Sequence, residues 1–219
     1  MTTIAQNPDE LFDVIDVHGV PTGVTKRRAD VHRDGDWHRA IHVWIYGECD
    51  RGPFILVQRR GLAKDTWPGA IDATAAGHLT AGETPEDAFR EIEEELGITP
   101  DLDDLQHVGT RVIAGEEPGY RMDREYEEVY LLRDDRPLHD YRPNQVEVDA
   151  LIRISLDAWL QFLFAETDAV DAQLLKSDSM DVHDYRVTLG QLAPSPDRYF
   201  QRVAVACDLA LRGERYLVV

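Results

Sequence analysis

The sequence predicts an α/β fold, a sandwich in which helices lie on both sides of a mixed β-sheet. Residues 39–46 alternate in polarity, with Ile41, Val43 and Ile45 on one side, which is typical of a strand. Other segments, around residues 84–97 and 155–164, place apolar residues at helical spacing instead. Strands with interleaved helices are typical of the α/β class.

A β-hairpin is predicted near the start of the chain. Leu11 to Val17 is apolar enough for a strand, His18 and Gly19 interrupt it, and Val20 to Gly23 follows. Val31 to Gly35 is interpreted as a polar turn. Further strands are predicted over residues 39–46, 54–57, 105–114, 127–132 and 146–154, with a turn over 115–120.

The chain is predicted to form one domain over residues 1–219. With 219 residues it can bury a substantial core, which we expect over about 11–155, followed by a helical extension over about 156–219. Ser155 is predicted to cap one extra helix, and Ser195 with Pro196 to open another that ends at Gly213. Residues 166–194 give no clear pattern.

The composition limits the classes of function. The formal net charge is −19, so the surface should repel nucleic-acid polymers and anionic membranes, while a small phosphorylated substrate remains compatible. The two cysteines, Cys49 and Cys207, give neither a disulfide framework nor a zinc spacing. A soluble, cytoplasmic protein is the expectation, and a homodimer is compatible with the sequence.

The segment Gly77 to Ile98 holds the strongest functional signal. Thr84 fits a helix N-cap, with Asp87 completing a capping box, and Gly97 fits the helix end. Four glutamates cluster in between, of which three share one helical face: Glu91, Glu94 and Glu95. A solvated acidic face is the ordinary interpretation of such a run. The caps and the adjacent apolar stripe favour a site for a divalent cation, since Mg²⁺ binds carboxylates, waters and substrate phosphates.

This segment resembles the signature box of the Nudix hydrolase superfamily: Gly, five residues, Glu, seven residues, then Arg-Glu-U-x-Glu-Glu-x-Gly-U, with U aliphatic. Arg90 to Ile98 matches throughout, but only six residues separate Glu83 from Arg90, which leaves the role of Glu83 open. The resemblance implies a Nudix sandwich and a Mg²⁺ or Mn²⁺ cofactor. It also implies metal ligands, at Glu91, Glu94, Glu95 and the carbonyl of Gly77 (or Ala76 in the shifted register), with Arg90 orienting a ligand carboxylate.

Residues 11–155 also resemble the Nudix branch that includes type I isopentenyl diphosphate isomerases. The likeness is carried by residues 38–44, by Gln58-Arg59-Arg60, and by Trp67-Pro68-Gly69 ahead of Gly77-His78. The isomerase pattern places a catalytic cysteine just before Gly77, where this chain has Ala76. His32, His38 and His78 match histidines that bind metal in the isomerases, although histidines at sheet edges also serve as structural hydrogen-bonding groups.

A general base and phosphate-binding groups are also expected. The candidate bases are Glu125, Glu127, Glu128 and Glu147, with Glu127 and Glu128 weighted equally. Solvated charge is the ordinary role for any one of them. Candidate substrate-binding residues are Arg59, Arg60, Lys64 and His78. The expected catalytic set consists of Glu94, Glu95 and Arg90 together with Glu127 and Glu128.

The sequence therefore predicts a divalent-metal-dependent hydrolase. Its substrate would be a nucleoside diphosphate derivative or another small molecule with a diphosphate bond. Two alternatives remain: an isomerase, which the missing cysteine disfavours, and a binding module without catalysis. Retention of all three carboxylates argues against the second alternative. Specificity is expected in residues 1–40 and 160–219.

Overall fold

The structure, a computed structural model, describes residues 6–117 and 121–219. Its strands are β1 (Leu11–Ile15), β2 (Pro21–Arg27), β3 (His38–Cys49), β4 (Gly52–Arg60), β5 (Ile71–Asp72), β6 (Ala75–His78), β7 (Leu105–Glu117), β8 (Arg121–Arg133), β9 (Val148–Ser155), β10 (Ala169–Lys176) and β11 (Val182–Thr188). Its α-helices are α1 (Arg28–Asp34), α2 (Arg90–Leu96), α3 (Leu156–Leu163) and α4 (Tyr199–Leu211). None of the described helices is long and apolar enough to cross a membrane.

A mixed sheet forms the middle layer. Its main path runs β11-β10-β9-β4-β3-β8-β7, with β5 paired to β4 and β6 paired to β3. The β3–β8 pair is parallel and the other pairs are antiparallel. Of the turn predicted over residues 115–120, residues 118–120 lie outside the described part of the chain.

Helices cover both faces of this sheet, as predicted. Ile41, Val43 and Ile45 of β3 point to one face, where they share a core cluster with Ile92 and Leu96 of α2. The alternate residues of β3 face a second cluster with α3 and α4, which includes Trp44, Tyr46, Trp159, Phe200 and Cys207. The alternation of β3 therefore comes from its two covered faces.

The N-terminal hairpin is confirmed, but the turn predicted at Val31 to Gly35 is wrong. These residues belong mainly to α1, which ends at Gly35 in the left-handed conformation (φ 67°). Val31 is fully buried with Phe12 and Val14 of β1. A helix of seven residues offers too few apolar residues for a visible periodicity.

The C-terminal extension is not purely helical. Helices α3 and α4 are present, but β10 and β11 lie between them and extend the central sheet, so the strand predicted to be last has two successors. Among the residues of β11, Val187 is the buried one, because β11 lies at the edge of the sheet. An edge strand with one covered position gives no apolar alternation, which explains why residues 166–194 were ambiguous.

The sheet divides at Thr74. Strands β3 and β4 pair with each other only as far as Ile45 and Leu56, after which β6 continues the pairing of β3 and β5 that of β4. The hydroxyl of Thr74 lies at this fork, where it donates to the carbonyl of Leu56 and accepts from the N–H of Ile45 at 2.9 Å. Thr74 is fully buried, so its hydroxyl serves these two backbone groups at a position that water does not reach.

We predict that Thr74→Val destabilises the protein by about 1–3 kcal/mol, because two buried backbone groups lose their partner. Thr74→Ser keeps the hydroxyl and removes one methyl group, so it should cost about 1 kcal/mol. Urea denaturation of both variants measures the difference. A Val variant as stable as the Ser variant would contradict this role of the hydroxyl.

Candidate active site

The fork opens onto a cavity of about 520 Å³. The carboxylate of Glu95, from α2, lies beneath it and is fully buried. Its Oε2 accepts from Gln58 Nε2 of β4 and from the backbone N–H of Ala76 in β6, both at 3.1 Å. Its Oε1 accepts from Lys64 Nζ at 3.0 Å. Glu95 is therefore held by both branches of the fork.

Glu91 lies one helical turn before Glu95 and lines the cavity next to Gly77. A Cβ atom on Gly77 would lie 2.3 Å from Glu91 Cδ and 2.5 Å from its Oε1. Only glycine leaves room for this carboxylate. Burial and the neighbouring charge of Glu95 raise the pKa of Glu91 to about 8. Ionisation of Glu91 is therefore unfavourable without additional positive charge, which a divalent cation bound here would supply.

A third carboxylate joins this pair from a distant part of the chain. Oxygen atoms of Glu91, Glu95 and Glu147 all lie within 4.8 Å of one another, and we call these three residues the carboxylate cluster. Oxygen ligands in this number and at this spacing fit Mg²⁺ or Mn²⁺. Lys64, predicted to bind phosphate, contacts the cluster: its Nζ lies 2.7 Å from Glu147 Oε2.

The missing residue of the box is absorbed before α2. Thr84 and Asp87 form the predicted capping box, but residues Asp87–Phe89 make a 3₁₀ turn and the α-helix begins only at Arg90. A 3₁₀ turn uses three residues where an α-helical turn uses 3.6, so the chain completes this turn with fewer residues. The register of Arg90 to Ile98 is preserved.

Glu83 does not belong to the carboxylate cluster. Its two oxygens accept from Arg90 Nε at 3.0 Å and Nη2 at 3.1 Å, and Oε2 also accepts from the N–H of Thr80 at 2.7 Å. Arg90 in turn donates through Nη1 to Glu91. Glu83 thus fixes the guanidinium that orients Glu91.

Glu94 occupies a different position from the other glutamates of the box. Its side chain is 53% exposed at the lip of the cavity, and Arg90 Nη1 lies 3.7 Å from it. It is not part of the carboxylate cluster, whose third member is Glu147 and not Glu94 as predicted.

A second group of potential ligands lies beside the same cavity: His32, His38, His78 and Glu125, which we call the histidine cluster. His32, His78 and Glu125 line the cavity directly. His38 Nδ1 lies 3.1 Å from the carbonyl of Asp36 and donates to it, so Nε2 of the neutral ring carries a lone pair. That lone pair faces Glu125 Oε1 at 3.4 Å without a hydrogen bond. Such an arrangement requires either a proton or a cation between the two atoms.

The other two histidines are neutral in this surrounding. Burial lowers the pKa of His32 to about 2, and burial together with the charge of Arg28 lowers that of His78 to about 3. Neutral imidazoles are the form that binds metals. His78 uses both ring nitrogens, accepting from Arg28 Nη1 at 2.8 Å and lying 2.8 Å from Glu125, so binding a cation would replace one of these contacts.

The two favoured candidate bases both have hydrogen-bond partners within the protein. Glu127 is buried and accepts from Arg111 Nη1 at 2.9 and 3.2 Å, while Arg111 also binds Asp197 just before α4. Glu128 points to the other side of β8, where it accepts from Thr110 Oγ1 at 2.9 Å, and it does not line the cavity. Neither carboxylate is therefore open to a substrate in this arrangement.

The predicted arginines also separate. Arg60 lines the cavity, but its guanidinium donates to the carbonyl and hydroxyl of Thr66, both at 3.0 Å, and to Asp72 at 3.2 Å. It thus shapes the loop between β4 and β5. Arg59 lies outside the cavity, where it pairs with Asp149.

Comparison with known proteins agrees with this geometry. The model of the NUDIX domain family matches residues 36–206. The chain belongs to the Nudix family. Nudix hydrolases act on phosphorus-containing anhydrides and generally cleave pyrophosphate bonds in nucleoside diphosphate derivatives. The match runs past residue 155 and includes β10, β11 and most of α4.

Two relatives are similar over three quarters of the chain. An uncharacterized Nudix hydrolase of Clostridium acetobutylicum is 34% identical over 167 residues, which cover 75% of this chain and 79% of the relative. Nudix hydrolase 3 of Arabidopsis thaliana is 38% identical over 167 residues, 74% of this chain, but only 21% of the plant protein. The chain thus spans about a fifth of the plant relative. A NUDIX hydrolase structure from Alicyclobacillus acidocaldarius shares the fold, with a TM-score of 0.54 at 15% identity and coverage of 83% and 96% of the two chains.

The similarity to isomerases is partial. The isopentenyl-diphosphate Delta-isomerase of Corynebacterium diphtheriae is 39% identical over 97 residues, 43% of this chain and 51% of the isomerase. At the position that the isomerase pattern gives to a cysteine, Ala76 offers only a methyl group to the cavity, while its N–H holds Glu95.

Several residues of the site were not found from the sequence. Arg111, Asp197 and Tyr199 connect α4 to the cavity: Arg111 Cζ lies 4.3 Å above the Tyr199 ring, whose hydroxyl accepts from Trp44 at 2.8 Å. No local motif marks them. Ser195, already identified as a helix start, accepts from the N–H of Tyr199.

We predict that Gly77→Ala lowers metal-dependent activity about 100-fold, since displacing Glu91 by about 1 Å disturbs the cation site. Gly190→Ala is the control, because a Cβ there meets nothing within 4 Å. Initial rates and melting temperatures of both variants give the comparison. Normal activity in a folded Gly77→Ala protein would contradict the close approach.

Proposed function

We propose that this protein is a divalent-metal-dependent hydrolase that cleaves the diphosphate bond of a nucleoside diphosphate derivative or a similar small molecule. The proposal is carried by the carboxylate cluster, three glutamates within 4.8 Å of one another beneath a cavity of about 520 Å³. Cavities of this size accommodate small organic ligands. Family membership gives the class of reaction.

The carboxylate cluster would hold Mg²⁺ or Mn²⁺. When bound, such an ion neutralises phosphate oxygens and acidifies a nearby water molecule. The chain's own contribution is to fix the ligands: Gln58 and the Ala76 N–H orient Glu95, and Arg90 orients Glu91. Preset ligand positions lower the cost of assembling the reactive arrangement.

Glu94 is the carboxylate that we assign to accept the proton of the attacking water. It lines the cavity and, among the described residues, it forms an ion pair with Arg90 at the long distance of 3.7 Å. Glu127, by contrast, is neutralised by Arg111, and Glu128 lies outside the cavity. A general base must reach the water and have a free oxygen.

We predict that Glu94→Gln lowers kcat by about 100-fold with little change in Mg²⁺ affinity, as expected for loss of a general base. Glu95→Gln should instead abolish Mg²⁺ binding and activity together. Glu93→Gln, an exposed glutamate on the same helix, is the control. Release of nucleoside monophosphate from a panel of nucleoside diphosphate derivatives, followed by chromatography and titrated with Mg²⁺, separates these effects.

Failure of the wild-type protein to release product from any such substrate with Mg²⁺ or Mn²⁺ would refute hydrolysis. Tight binding of one substrate without turnover would instead favour a binding module.

We further propose that the histidine cluster holds a second divalent cation. The support is the grouping of three imidazoles and one carboxylate, whose potential ligand atoms all lie within 4.8 Å of one another. Imidazole nitrogens favour transition metals over Mg²⁺, so the two clusters should differ in metal preference.

We predict that His38→Ala lowers the bound Mn²⁺ or Zn²⁺ by about one equivalent per chain after dialysis, since an imidazole ligand is lost. His139→Ala, which removes a histidine whose side chain is 71% exposed, should leave the metal content unchanged. Elemental analysis gives the stoichiometry. Equal metal content in both variants would exclude the histidine cluster as a metal site.

Isomerisation of isopentenyl diphosphate is the second candidate function, favoured by the histidine cluster and the partial similarity to isomerases. Ala76 argues against it, because a methyl group neither donates nor accepts a proton. Incubation with isopentenyl diphosphate and Mg²⁺, followed by NMR, distinguishes the two reactions. A moved double bond indicates isomerisation, and free phosphate or diphosphate indicates hydrolysis.

A further inference from the structure

The carboxylate cluster already contains a cation from the protein itself. Lys64 Nζ lies 3.0 Å from Glu95 Oε1 and 2.7 Å from Glu147 Oε2, and the lysine side chain is only 5% exposed. The other oxygen of Glu95 is taken by Gln58 and the Ala76 N–H. The ammonium group therefore contacts two of the three carboxylates that would bind a metal ion.

A divalent cation cannot share these oxygens with Lys64. An ion bound to Glu95 Oε1 and Glu147 Oε2 would lie within a few ångströms of the ammonium group, where repulsion between like charges is strong in a buried site. Lys64 also competes for the lone pairs that the ion needs. Metal binding to the whole cluster thus requires the ammonium group to move.

The cavity offers a direction for that movement. Lys64 lies on the cavity wall, in the loop between β4 and β5, and its four-carbon stem has several rotatable bonds. In this structure its hydrogen-bond acceptors include Glu95 and Glu147. A bound diphosphate group would supply new anionic oxygens, which bind ammonium groups well.

We propose that Lys64 couples the binding of the divalent cation to the binding of substrate. Without a diphosphate group, its ammonium neutralises Glu95 and Glu147 and keeps the cation out of the carboxylate cluster. A diphosphate group draws the ammonium away, and the cation enters with the substrate. This inference rests on the proposed function, because it assumes that a diphosphate occupies the cavity.

Binding of Mg²⁺ with and without methylenediphosphonate, a diphosphate that cannot be hydrolysed, tests the coupling. In the wild-type protein methylenediphosphonate should raise Mg²⁺ affinity about tenfold, a typical coupling between two ligands. Lys64→Met should bind Mg²⁺ alone about tenfold more tightly and lose most of this coupling. Lys176→Met is the matched control, because Lys176 pairs with Asp149 outside the cavity.

The double variant Lys64→Met/Glu91→Gln tests where the gain in Mg²⁺ affinity arises. If the ion binds to the carboxylate cluster, the gain should disappear in this variant. If Lys64→Met binds Mg²⁺ no more tightly than the wild type, or keeps the full coupling, the proposal is overturned and Lys64 is a structural ion-pair partner.

A measurement on the wild-type protein avoids any dependence on a folded Lys64 variant. The chain contains three lysines, Lys26, Lys64 and Lys176, so labelling lysine with ¹³C at Cε gives three NMR signals. Lys26→Arg and Lys176→Arg identify the Lys64 signal by elimination. We expect that signal to shift with Mg²⁺ and methylenediphosphonate together and to stay in place with Mg²⁺ alone.

A Lys64 signal that never responds, or that shifts fully with Mg²⁺ alone, overturns the coupling, as does failure of Mg²⁺ and methylenediphosphonate to bind. The proposed function is tested separately, by turnover of the panel of nucleoside diphosphate derivatives. Turnover with an unresponsive Lys64 rejects the coupling only, whereas coupled binding without turnover rejects hydrolysis only.

Discussion

The site depends on one buried carboxylate. An ionised carboxylate removed from water costs several kcal/mol unless hydrogen bonds and a positive charge compensate it. Glu95 meets that requirement with donors from three segments, Gln58 in β4, Ala76 in β6 and Lys64 in the intervening loop. Any change in the position of α2 against the sheet would break these contacts together, so Glu95 fixes the helix and the site at once.

The fork in the sheet makes this arrangement accessible to a ligand. Because β3 and β4 separate at Thr74, the short strand β6 brings Gly77 and His78 alongside α2, and the cavity opens between the branches. The C-terminal part of the chain closes its far side through Asp197, which binds Arg111 at 2.8 Å. The two ligand clusters thus lie on walls of one cavity, supplied by elements far apart in sequence.

Local chemistry was predictable from the sequence and long-range geometry was not. The alternation of β3, the caps around α2 and the register from Arg90 to Ile98 depend on neighbours within a few residues, so they are visible in the chain. The presence of Glu147 in the carboxylate cluster depends on the segment before β9, where the N–H of Asn144 donates to the carbonyl of Glu95. The ion pair of Glu127 depends on Arg111 in the neighbouring strand. Likewise, β11 went unrecognised because an edge strand buries too little to show a pattern.

The most direct test of the account is the position of the cation. Crystals grown with Mn²⁺ and methylenediphosphonate would show it by anomalous diffraction. We expect a peak at about 2.0–2.2 Å from oxygens of Glu91, Glu95 and Glu147, the usual distance for a small divalent ion, with Lys64 turned towards the diphosphonate. A cation found only among the histidines, with Lys64 still bound to Glu95 and Glu147, would contradict it.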